Sequence, residues 1–156
     1  MVDIQPRFHV WRFGPGPRTG LWTYCSVGTW AITPSRSGLI EFVMTADRET
    51  STLVELVTML AFYHRDQNLD VGHTLPIGQP WLPGSKCDCF LISKPYPFGP
   101  ELEICPVGDR HVHFFWGLPI TQAERAFVGK EGLEALEVRF EVGRLKHWDV
   151  RRASIV

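Results

Sequence analysis

The sequence lacks any apolar run near the roughly 18 residues that a membrane-crossing helix needs, so no helical span organises it. It also lacks an excess of either charge, with 16 Lys and Arg against 17 Asp and Glu. A balanced surface offers no bulk attraction for nucleic acid. The opening residues Met1-Val2-Asp3-Ile4-Gln5-Pro6-Arg7 lack the basic-then-apolar pattern of an export signal. Cysteine is sparse, at 4 residues, and without an export signal reduced thiols in a cytoplasm are the expected state. Missing too are a Gly-x-Ser-x-Gly elbow, a phosphate loop, a dinucleotide fingerprint and a His-Glu-x-x-His pair. These absences lower the expectation of catalysis and give no reason to expect a cofactor.

What is present suits one domain over residues 1–156, since 44% hydrophobic content fills a single core at this length. The 14 glycines and 12 prolines cluster at Gly14 to Pro17, Pro76 to Gly84 and Pro95 to Pro100. Proline fixes its own torsion and glycine permits positive values, so these clusters mark rigid turns rather than linkers.

Alternation of apolar and polar residues predicts strands at 7–13, 20–27, 39–45, 86–93, 100–106 and 109–118. In the last, Val112, Phe114, Trp116 and Leu118 share one face, and His111, His113, Phe115 and Gly117 the other. Short turns between 86–93, 100–106 and 109–118 predict an antiparallel meander. Between the third and fourth strands, Leu53, Leu56, Val57, Leu60, Ala61 and His64 form one stripe of a helix over 52–65. Thr52 with Glu55, and Thr121 with Glu124, have the spacing of capping boxes. The second starts a short helix expected to end at Gly129, with a further helix over 130–142 turning Leu133, Leu136 and Phe140 inward. The fold class is therefore α+β, a mixed or largely antiparallel sheet with helices packed on it.

Two constellations carry possible chemistry. Cys87 and Cys89 share one strand face, as do His111 and His113, and two such pairs supply the nitrogen and sulfur donors zinc prefers. Against this, structural zinc sites use Cys-x-x-Cys turns, which are absent, so no metal is expected. The alternative to a binding protein remains a metal-binding or cysteine-dependent enzyme using Cys87, Cys89, His111 and His113. Mid-strand cysteines in apolar surroundings have a raised pKa, however, which opposes nucleophilic use.

The loop Gly78-Gln79-Pro80-Trp81-Leu82-Pro83-Gly84 holds an indole and a leucine between prolines and glycines. Restrained apolar side chains of this kind make interface anchors at low entropic cost. Alternatively, Trp81 folds back as a lid on the core. Phe98, between Pro97 and Gly99, poses the same choice, and His73 is read as a tie holding its loop. Arg144, Lys146, Arg151 and Arg152, with His147 and Trp148 interleaved, form a basic segment read as a surface complementing the acidic helix 131–141.

His73-Thr74-Leu75-Pro76-Ile77-Gly78-Gln79-Pro80 and, further on, His113-Phe114-Phe115-Trp116-Gly117-Leu118-Pro119-Ile120-Thr121-Gln122-Ala123-Glu124 resemble the paired hallmarks of the suppressor-of-fused-like domain family. His9 to Phe13, Trp22 to Gly28, Ile40 to Met44 and Glu131 to Leu136 are similar to further family segments. The closing Asp149-Val150-Arg151-Arg152-Ala153-Ser154-Ile155-Val156 resembles the family's aspartate, arginine, serine tail. The resemblance implies a non-enzymatic protein-binding domain. In its small bacterial-type members it implies a cytoplasmic immunity protein that neutralises a toxin, and in animal members capture of an extended peptide. The partner-binding residues expected on this reading are His73, Gln79, Trp81, Leu82 and Phe98.

Overall fold

The structure, a computed structural model, describes residues 8–33 and 38–156. In chain order they form β1 (His9–Phe13), β2 (Trp22–Val27), α1 (Thr29–Ile32), β3 (Ile40–Ala46), α2 (Thr52–Gln67), β4 (Thr74–Pro76) and β5 (Cys89–Ser93). A 3-10 turn at Tyr96–Phe98, α3 (Pro100–Glu103), β6 (Ile104–Val107), β7 (Arg110–Ile120), α4 (Gln122–Glu131) and α5 (Leu133–Val142) follow. The class is α+β with a mixed sheet. Two compact units share these elements, one of Met1–Leu69 with Lys94–Trp116 and the other of Asp70–Ser93 with Gly117–Val156. Arg7, the first residue of the strand expected at 7–13, lies outside the described residues.

In the first unit β3 is buried at every position, as a strand covered on both faces requires. β2 joins it antiparallel and β1 joins β2 antiparallel. The start of β7 runs parallel to β3, with Ile40 opposite His113 and Val43 opposite Trp116. Trp116 meets Phe98 edge-on, ring centroids 6.2 Å apart. The α2 stripe Leu53, Leu56, Val57, Leu60, Ala61 and His64 is buried throughout, as its helical spacing predicts. His64 packs edge-on against Phe42 at 5.6 Å, and its Nδ1 accepts the Leu69 N–H at 2.9 Å, which ties down the chain leaving the helix.

The start of α2 differs from expectation. Ser51 is the N-cap and its side chain makes no cap bond, so the Thr52–Glu55 box does not form. Thr50 does the work instead: its Oγ1 accepts the Thr52 amide at 3.2 Å, and its own N–H donates to the buried Tyr24 hydroxyl at 2.8 Å. The strand expected over 100–106 begins only at Ile104. Pro100 occupies the first helical position, where its missing N–H costs nothing, and residues 100–103 wind into α3. β6 then pairs antiparallel with β7, Ile104 opposite His113.

In the second unit the unforeseen β4 pairs antiparallel with β5, Leu75 opposite Phe90. The expected meander does not form, because β5 itself stands beside β7 in the strand order. Beyond the paired residues, Ile77 donates to Asp88 at 2.8 Å and Trp81 to Cys87 at 3.0 Å, extending the hairpin through main-chain bonds. The Thr121–Glu124 capping box is present. Its helix runs through Gly129, which has no need of a positive φ, and breaks at Gly132, whose φ of 88° disfavours any side chain. α5 then buries Leu136 and Phe140, with Leu133 half-buried.

Candidate partner-binding surface

His73, Gln79, Trp81 and Leu82 all lie on the β4–β5 hairpin of the second unit, whereas Phe98 belongs to the first. Trp81 is 1% exposed and Leu82 4%, so neither presents an anchor to solvent. The restrained loop turns these side chains inward, and the lid reading is the one the structure adopts. Burying an indole and a leucine outweighs exposing them in so small a unit. Gln79 remains exposed, following Gly78 at a φ of 89°. Phe98 is half-buried against Trp116. His73 is exposed and its Nδ1 accepts the Asp70 amide at 3.1 Å, while its main chain bonds Asp70 and Ile92. It is a tie, its ring accepting from the main chain three residues earlier.

The cysteine and histidine pairs differ sharply in setting. Cys87 and Cys89 are buried in the second unit, and His111 and His113 are exposed in the first. Among the described residues no three His, Cys, Asp or Glu side chains gather to hold a metal ion. All four cysteines are free thiols. Burial raises the pKa of Cys87, and burial with the neighbouring Asp88 raises that of Cys89, the reverse of what a thiolate nucleophile needs. Burial and the charge of Glu41 push Cys25 up to about 12.

Two buried carboxylates organise the units, and spacing reveals only the capping part of the Glu124 role, not its pairing with Arg152 nor the role of Glu41. Glu41 in β3 accepts the Ser26 hydroxyl, the Gly28 N–H at 2.6 Å and the Thr29 N–H at 3.3 Å. Gly28, at a φ of 100°, turns the chain so that both amides face this side chain. Glu124 in α4 meets the Arg152 guanidinium through two bonds of 2.7 Å and accepts the Thr121 and Ile155 amides at 2.9 and 3.0 Å. Burial pushes the Glu124 carboxyl up, but the Arg152 bonds and charge and the two amides outweigh it and hold the pKa below its usual range. The basic segment is thus not the surface expected of it: Arg152 and His147 are buried, leaving Arg144, Lys146 and Arg151 exposed. The available signal was that Glu41 and Arg152 stand in the segments that carried the family resemblance.

The exposed apolar area of the first unit includes β1. Among the described residues this strand pairs with β2 alone and ends the strand order. Trp11 is 55% exposed and Phe13 48%, their rings 6.2 Å apart. Val10, Trp11, Arg12, Phe13 and Val54 line a shallow groove of about 440 Å³. Arg12 is held beside it by an ion pair with Glu49 and by the Trp22 ring, 5.8 Å away. An edge strand with free main-chain groups and protruding side chains can add a strand from another chain.

The mixed sheet, its edge strand β1 and the tail held by a buried arginine are the features to set beside known proteins. The match to the suppressor of fused protein (SUFU) family covers residues 5–153, and the chain belongs to that family. It is similar to a SUFU homolog from Neisseria gonorrhoeae, with a TM-score of 0.83 and 36% identity over 99% of this chain and 81% of the other. It shares its fold with a chain of the Sufu–Fu complex, at TM-score 0.68 and 13% identity over 95% and 76% of the two chains. Drosophila Suppressor of Fused gives TM-score 0.68 and 12% identity over 95% of this chain and 42% of that one. No curated protein matches the chain in sequence. No helix among the described residues is long and apolar enough to cross a membrane.

Proposed function

We propose that this chain is a non-enzymatic protein-binding module, and specifically a cytoplasmic immunity-type protein that binds and neutralises a partner toxin. Family membership supports the binding role, and a structure of one fold relative is a Sufu–Fu complex. The observation that carries the reading is the edge strand β1, with Trp11 and Phe13 exposed beside a groove. Partner docking there adds a strand through main-chain bonds and uses the two aromatics as anchors. Immunity function needs complementary shape and charge rather than an active site.

The test is co-expression with the C-terminal domain of the protein encoded by the neighbouring gene. Growth should be rescued by the natural sequence and lost with the double change Trp11→Ala and Phe13→Ala. Rescue by both proteins would reject β1 as the docking strand. Toxicity unrelieved by either would reject the immunity role while leaving the family's binding character untouched.

A further inference from the structure

We infer that Asp149–Val156 is a strap that opens separately from the rest of the fold, with the Glu124–Arg152 pair as its latch. The segment has little regular structure of its own, consisting of turns and extended backbone. Its attachment is instead a set of specific bonds to α4 and the end of β7. Arg152 donates to both Glu124 oxygens and, at 3.0 Å, to the Pro119 carbonyl. The Ile155 N–H reaches Glu124 at 3.0 Å and the Ser154 hydroxyl meets Thr121 Oγ1 at 3.0 Å. The strap therefore converges on the same capping box that starts α4.

Two features bear on how this attachment holds. The Arg152 Nε is buried without a hydrogen-bond partner, so the latch keeps a buried donor unsatisfied. Ile155 also packs directly over Gly143, where an added methyl would overlap Ile155 Cδ1 and Cγ1. Gly143 has a helical φ of −78°, so alanine there adds no backbone strain, but besides the Ile155 overlap its methyl would sit 3.0 Å from the Arg139 carbonyl oxygen, a second and smaller crowding. Cys87, 1% exposed in the same unit and within reach of the charges of Arg152 and Glu124, is the labelling probe chosen for the strap.

The experiment measures maleimide labelling of the full-length native protein, mapped residue by residue by mass spectrometry. Cys25, buried in the first unit, serves as the control for global unfolding. Gly143→Ala should speed Cys87 labelling by at least about tenfold while Cys25 stays protected, as a local opening requires. Adding Ile155→Ala removes the larger overlap, leaving the Arg139 contact, and should return Cys87 part of the way towards its original rate. Arg152→Ala, which breaks the latch directly, should open the strap further. The inference is overturned if Gly143→Ala leaves Cys87 labelling unchanged, if Cys25 and Cys87 label together, or if Ile155→Ala gives no rescue.

Discussion

The Glu41 carboxylate accepts the Gly28 main-chain N–H at 2.6 Å, joining the turn after β2 to the centre of the sheet. The same carboxylate takes the Ser26 hydroxyl and the Thr29 amide, and all of these groups are buried. Glu41→Ala would leave two buried amides and a hydroxyl without their acceptor. We expect a loss of about 3 kcal/mol in urea melts, because unmet buried donors cost more than a bond gains. Glu101→Ala, at an exposed position, should change stability by less than about 0.5 kcal/mol.

Trp81→Ala should destabilise the protein by about 3–5 kcal/mol, because a fully buried indole leaves a cavity its surroundings fill only in part. Gln79→Ala, two residues earlier and exposed, should be near neutral. Equal midpoints for the two variants in chemical denaturation would show that the loop is held by its main chain alone.

Much of the fold is legible in local pattern. The α2 stripe and the Thr121–Glu124 box depend on neighbours three or four residues apart, and both appear as spacing predicts. What spacing does not carry is competition between partners. Thr52 has a box-like neighbour in Glu55, yet Ser51 takes the cap position and Thr50 bonds Tyr24. Glu101 and Glu103 alternate like a strand face, but Pro100 starts a helical turn. The site is harder still. Trp81 looks the same in sequence whether it points out or in, and Arg152 finds Glu124 28 residues away. Long-range pairings of this kind leave no local period.

Acid should weaken the second unit through His147. Burial, with the charge of Arg152, lowers its pKa to about 4 in the folded protein. The unfolded chain keeps a value near 6.5 and therefore binds the proton first as pH falls. Stability is thus constant above about pH 6.5 and declines to about pH 4, by roughly 3 kcal/mol in all. Glu124, held low by Arg152, adds a further loss below the ordinary carboxylate range. Urea midpoints at intervals from pH 7.5 to 4.5 should fall more steeply in the natural protein than in His147→Gln. Parallel curves would assign the acid sensitivity to other groups.

Binding through β1 should depend on its aromatics more than on its charge. Arg12 is already paired with Glu49, so Arg12→Ala should weaken partner capture only a few-fold. The double change Trp11→Ala and Phe13→Ala should weaken it at least about tenfold, or roughly 1.4 kcal/mol. Val142→Ala, at a residue 80% exposed in the second unit, serves as the control and should leave calorimetric affinity unchanged.

The most direct measurement is amide hydrogen exchange of the full-length protein, alone and bound to a partner protein that it captures. Strand addition at β1 predicts that His9–Phe13 gains protection on binding, since an added strand would pair with the main-chain groups of this edge. Protection confined to the β4–β5 hairpin around Gln79, with β1 exchanging as in the free protein, would contradict it.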